Sequence, residues 1–171
     1  MPYRQIIDWT FQDTNNMTSL YDITQLVSVM TDSNELISAI LSQITQSYCI
    51  DSKTFKSILA LLNISDYEIL LRERYMNHRC GYPLCSKVIT TNSCTGILSY
   101  YCSDYHFDCS QFVITQMSQY PRCNIKQWKS LIIEGYDNPA RLVLFEELLQ
   151  DKIVEKDIDS LTTDMNIFRL V

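Results

Sequence analysis

Two pairs of metal-ligating residues constrain this chain more than any other feature. The stretch "HRCGYPLCSK" places Cys80 and Cys85, with four residues between them, on a turn that also carries Gly81 and Pro83. After sixteen intervening residues, "YYCSDYHFDCSQF" sets Cys102 and His106 four positions apart at the start of a helical pattern. A spacing of four brings two side chains to one helix face about one turn apart. Three thiolates and one imidazole make a closed tetrahedral zinc shell. The spacing therefore predicts one structural Zn2+ held by Cys80, Cys85, Cys102 and His106, one pair on a knuckle loop and one on a helix. Gly81 reads as the source of backbone freedom in that loop. Cys109, about one turn beyond His106, is the rival fourth ligand.

The remaining cysteines, Cys49, Cys94 and Cys123, have no partner at ligand spacing. Seven cysteines is an odd count, and the N-terminus is too polar for a signal peptide. A disulfide framework is not expected, and the thiols read as belonging to a reducing compartment.

A length of 171 residues fits one domain with its own core. Three glycines and four prolines leave little material for β-turns. The fold expected is a single, mostly α domain over 1–171. It has an embedded Cys3His zinc finger at about 65–119, a C-terminal helical segment at about 140–168 and at most a small β-element near 86–101.

Helices are expected at 19–30, 33–48, 51–62, 65–79, 103–119, 140–152 and 155–168. Ser33 or Asn34, Asp51 or Ser52, and Ser103 are the expected caps of three of them. The helix at 65–79 reads as a capping box of Ser65 and Glu68. In it Tyr67, Leu70, Leu71 and Tyr75 face the core, and Arg72, Arg74 and Arg79 lie elsewhere. The segment 120–140, with Pro121, Gly135 and Pro139, reads as a long connection.

The net charge of −6 argues against non-specific nucleic-acid binding, and the helix from 103 is too acidic to enter a groove. No 18-residue apolar run is present, so no membrane span is expected.

The blocks "RCGYPLC" and "YCSDYHFDCSQF" resemble the fungal branch of the RNA polymerase II-associated, zinc-containing C-terminal-domain phosphatases, the regulator-of-transcription family. The resemblance extends to "LLRERYMNHR" and "LFEELLQDKIVEKDIDSL" and covers about residues 30–165. It maps the family's metal positions onto Cys80, Cys85, Cys102 and His106. It implies a protein phosphatase that acts on the phosphorylated C-terminal tail of the largest subunit of RNA polymerase II, at the serine in the fifth place of each repeat. It also implies a part in polymerase assembly and nuclear entry, with the protein in both nucleus and cytoplasm.

The usual phosphatase signatures are missing. No cysteine begins a Cys-x5-Arg loop, and two histidines are too few for a two-metal site. "DIDS" at 157–160 lies in a polar, helix-like tail and reads as a solvated face. A thiolate committed to the metal is poorly available as a nucleophile, which discounts Cys80.

What remains is "RERYMNHR". Arg72, His78 and Arg79 are the candidate phosphate binders, Glu73 the candidate general base and Arg74 the candidate stabiliser of charge on phosphorus. Charge reversal at Arg74 is expected to abolish function without disturbing the metal. The resemblance supports the Glu73–Arg74 pair, while Thr95 stands where relatives offer a tyrosine. The same residues also fit a non-catalytic module that binds the polymerase.

Overall fold

The computed structural model describes residues 16–90, 96–118, 122–136 and 139–153. Among them the architecture is mostly helical, as the apolar periodicity requires. Helix α1 spans Leu20–Val29, α2 Ser33–Gln46, α3 Ser52–Leu59, α4 Ile64–Met76, α5 Asp104–Met117 and α6 Ile125–Ile133. A further helix, α7, starts at 145 and runs through the described residues to 153. The helix expected at 155–168, the "DIDS" stretch, Cys94 and Thr95 all fall outside the described residues.

The only named sheet among these residues is one parallel pair, β1 (Met17–Thr18) with β2 (Tyr48–Cys49), in register Met17↔Tyr48. These two strands lie outside the expected β-stretch. That stretch contributes instead a single antiparallel bridge, Arg79↔Val88, and a 3-10 turn at Ile97–Tyr100.

Local chemistry sets the helix boundaries. Ser19 caps α1 and exchanges bonds with Asp22. Asp32, in extended conformation, caps α2 through the N–H groups of Asn34 and Glu35, so the cap is one residue earlier than Ser33. Asp51 caps α3 and Ser103 caps α5. The capping box of α4 is Asn63 with Asp66, not Ser65 with Glu68. Asn63 is the last extended residue, and Ser65 is already inside the helix.

The expected connection at 120–140 contains α6. Asn124 caps it, and Gly135, at a φ of 81° that favours glycine, ends it. The N–H of Gly135 bonds to the Ile132 carbonyl and that of Tyr136 to the Leu131 carbonyl. Trp128 of α6 is buried and donates Nε1–H to the Ser57 carbonyl, 2.7 Å away. The helix expected from 140 begins only at 145. The Gln116 side chain holds the preceding backbone extended, accepting from Val143 N at 2.9 Å and donating to Val143 O at 2.8 Å.

Helix α1 packs on both α2 and α3, and α4 packs between α2 and α5. The apolar faces read from the sequence meet in one core. Leu36, Ile37, Ile40 and Ile44 come from α2, Phe55, Ile58 and Leu59 from α3, and Tyr67, Leu70 and Leu71 from α4. The thiols of Cys80 and Cys85 border the same core, which places the metal ligands at its edge. No helix among the described residues is long and apolar enough to cross a membrane.

Candidate metal centre

The C-terminus of α4 launches the site. Asn77 is its C-cap, and His78 follows with a φ of 55°. The N–H of His78 reaches the Tyr75 carbonyl (2.9 Å) and that of Arg79 reaches the Arg74 carbonyl (2.9 Å). This is a Schellman termination with histidine where glycine is usual. It turns the chain sharply into the knuckle.

A short hairpin closes the knuckle loop. Cys80 N donates to the Lys87 carbonyl (3.1 Å), Ile89 N donates to the His78 carbonyl (2.8 Å), and Arg79 faces Val88 between them. Inside it, Cys85 N bonds to the Tyr82 carbonyl (2.9 Å).

Gly81 is needed here for a reason other than the expected one, because its φ is not positive. It donates to the Tyr100 carbonyl at 2.6 Å, and an added Cβ would meet that oxygen and Leu71 Cδ2 at 3.0 Å and Tyr101 Cε1 at 3.1 Å. Close approach, not backbone freedom, selects glycine. That approach delivers Tyr101 and Cys102 to the knuckle, and Ser103 then starts α5, which carries His106 in its first turn.

The four sequence-predicted ligands come together, with their ligand atoms all within 4.8 Å of one another. Cys85 Sγ lies 3.7 Å from Cys102 Sγ. His106 presents Nδ1, at 3.0 Å from Cys102 Sγ and 3.7 Å from Cys80 Sγ. Ligands about 2.0–2.3 Å from a tetrahedral ion would stand roughly 3.5–3.8 Å apart, so the donor set fits a closed four-coordinate metal. Backbone N–H groups of Lys87 and Cys102 point at the sulfurs of Cys85 and Cys80, each at 3.4 Å. Cys80 is pulled down to about 5, first by the hydrogen bond from Cys85, while that same bond and burial push Cys85 up. Cys109 is buried one helical turn on and is not part of the cluster. Burial raises its thiol to about 12.

Aromatic rings wall the imidazole. Tyr82 stacks at 5.3 Å and Tyr105 at 5.7 Å from the ring of His106. The Tyr82 hydroxyl donates to Glu146 of α7 (3.1 Å), which links α7 to the centre. Cys49, buried and raised to about 12 by desolvation, sits in β2, whose N–H bonds to the Pro83 carbonyl at 2.9 Å. Cys123 is half-buried and its thiol is also pushed up by burial.

The arginine cluster is divided by the fold. Arg72, Glu73 and His78 are exposed and Arg79 is half-buried. Arg74, expected on the surface beside them, is 0% exposed. Its Nε donates to the Cys80 carbonyl (2.7 Å) and its Nη2 to the Cys85 carbonyl (3.1 Å). Its Nη1 donates to the carbonyls of Ile44 and Ser47 at the end of α2. Burial lowers Arg74 to about 10, so the group stays charged at neutral pH. A guanidinium filled by four carbonyls has no free edge for a phosphate oxygen. The expectation that Arg74 binds or stabilises phosphate is therefore corrected to an internal, organising role. The signal was present in the sequence: Tyr67, Leu70, Leu71 and Arg74 share the i, i+3, i+4, i+7 face.

These features define a class: a small, mostly helical fold around a Cys3His cluster that could hold a metal ion, with α7 tied back to the knuckle. No family model matches the chain. The crystal structure of Saccharomyces cerevisiae Rtr1 (regulator of transcription) superposes with a TM-score of 0.66 and 28% identity, covering 81% of this chain and 99% of that one. The K. lactis Rtr1 N-terminal domain gives 0.58 and 26% identity, covering 77% and 99%. Two Saccharomyces cerevisiae proteins named RNA polymerase II subunit B1 CTD phosphatase, RTR1 and RTR2, are each 34% identical over 74% of this chain. The chain spans 65% and 66% of their respective lengths. In sequence and fold the chain is similar to these Rtr1-type, regulator-of-transcription proteins.

Proposed function

We infer that this protein is a phosphatase of the RNA polymerase II C-terminal repeat tail, acting on phosphoserine in the fifth place of the repeat. The observation that carries the reading is the 34% identity to two proteins named as phosphatases of that tail. The metal is Zn2+, which the Cys3His donor set favours, and its shell is closed by four protein ligands. When bound, zinc supplies rigidity to the framework.

The chemistry falls to exposed residues at the end of α4. Arg72, His78 and Arg79 hold the non-bridging phosphate oxygens, with Arg suited to bidentate contacts. Glu73 takes a proton from water as the water oxygen attacks phosphorus, and the serine oxygen departs with the bonding pair. Arg74 holds α4 and the knuckle in register beneath them. The protein would meet its substrate in the nucleus and travel through the cytoplasm during polymerase assembly.

A second reading is favoured by one observation, the internal position of Arg74, which breaks up the expected Glu73–Arg74 catalytic pair. In that reading the domain binds polymerase or its phosphorylated tail and hydrolyses nothing. Phosphate release from tail peptides phosphorylated at the fifth place, compared with peptides phosphorylated elsewhere, tests both. Turnover slowed by Glu73→Ala with unchanged peptide binding supports the enzyme. Tight binding with no release by zinc-loaded protein replaces it with the binding module.

A further inference from the structure

We propose that the exposed edge of the knuckle hairpin takes an extended phosphopeptide as an added β-strand, with Val88 pairing its backbone and Arg79 its phosphate. The inference rests on the phosphopeptide reading above and specifies how the peptide is held. In the antiparallel bridge Arg79↔Val88, the ladder bonds are made by the flanking residues, Cys80 N to Lys87 O and Ile89 N to His78 O. Alternation along a strand then directs the N–H and carbonyl of Val88 away from the hairpin. No described residue bonds to them. Such an unpaired edge is a template for another strand.

The side chains around this edge select the partner. Val88 is 61% exposed, so the edge is open to a partner. Arg79 is its cross-strand neighbour, so the two side chains share a face. Lys87, the preceding residue on the strand, is exposed on the opposite face and adds positive charge to the same edge. Among the described residues neither cation has an acidic partner, although the chain carries a net charge of −6. A local positive edge on an acidic protein attracts an extended segment bearing phosphate. Backbone pairing tolerates sequence change in the peptide, which suits a repetitive tail.

Val88→Pro removes the outward N–H and spares both hairpin bonds, because edge strands accept proline. Binding of a two-repeat phosphoserine tail peptide is measured by fluorescence anisotropy, with bound zinc measured alongside. The expected result is about a tenfold or greater loss for Val88→Pro at full zinc content, with Val88→Thr within about threefold of wild type. A second measurement leaves the protein intact: peptides N-methylated one backbone position at a time. Methylation of a pairing position should weaken binding by about tenfold, and methylation of its neighbours should not. A zinc-loaded Val88→Pro protein that binds like wild type, or an N-methyl series in which no position matters, overturns the added strand. If wild type still releases phosphate in that case, the phosphatase reading stands alone. Wild type that neither binds the peptide nor releases phosphate overturns both. Should Val88→Pro lose zinc, the N-methyl series decides.

Discussion

Arg74 Nε donates to the carbonyl oxygen of Cys80, 2.7 Å away, so the buried cation of α4 grips the backbone of a metal ligand. The same guanidinium reaches the Cys85 carbonyl and the end of α2. Helix C-termini leave carbonyls unpaired and carry partial negative charge, which a cation satisfies. One residue thus joins the N-terminal helices to the metal knuckle.

Arg74→Met is expected to lower the unfolding free energy by roughly 3 kcal/mol or more, since four buried acceptors lose their donor. Arg72→Met, on the exposed face, should stay within about 0.5 kcal/mol of wild type. Urea titration of both variants measures this, and a chelator challenge should strip zinc faster from Arg74→Met alone. The expectation that Arg74 can be reversed without disturbing the metal is the one this geometry replaces. Equal chelator resistance in the two variants would contradict the role given to Arg74.

One zinc per chain is expected by native mass spectrometry. His106→Ala should lose the ion and much of the cooperative unfolding transition, because metal binding is coupled to folding. Cys109→Ala should keep the ion, since that thiol lies outside the cluster. The reverse pattern would mean that the fourth ligand is misassigned.

Gly81→Ala is expected to destabilise by about 1–3 kcal/mol, as for overpacking of a well-filled site. The Tyr100 carbonyl at 3.0 Å is backbone and cannot swing aside. A thermal melt of the zinc-loaded protein reads the shift.

His78→Gly should act in the opposite sense. A left-handed conformation costs a non-glycine residue about 1–2 kcal/mol, partly offset by the extra chain entropy of glycine, leaving a gain of up to about 1 kcal/mol. The variant also deletes one candidate phosphate contact, so greater stability with weaker peptide binding would separate the two roles of this position. No stability gain would show that the cap is not under tension.

Alkaline pH supplies another test. The Cys49 thiol is raised from 9.0 to about 12 by burial, so the folded protein holds a proton that the unfolded chain releases. That contribution is complete below pH 9 and is lost as pH rises from 9 through 12. Stability measured across this window should fall less steeply in Cys49→Ala. Parallel curves would contradict the shift.

The clustering of Cys80, Cys85, Cys102 and His106 was legible in the sequence because spacing brings such pairs together. The core faces of α2, α3 and α4 were legible through periodicity. Helix α6 was hidden by Pro121, Gly135 and Pro139, which read as loop residues yet flank the helix instead of interrupting it. Asn124 and Gly135 were its start and stop signals. Arg74 was misread because its charge outweighed its place on the apolar face, and only the tertiary structure supplies carbonyls to receive it. The β1–β2 pair, two residues per strand, is too short to leave a periodic trace.

The grip of Arg74 is on main-chain oxygens at positions 44, 47, 80 and 85. Every amino acid carries that oxygen. At Ile44 and Ser47 the arginine therefore recognises the path of the chain and not the residues along it. Substitution at those two places leaves its partners in reach, whereas the arginine has no equivalent replacement, since an ammonium cannot span four directions at once. Among divergent descendants of this chain, the expected pattern is one invariant cation facing helix-end neighbours constrained by their own packing and not by the arginine, a pairing that correlated substitution would not reveal.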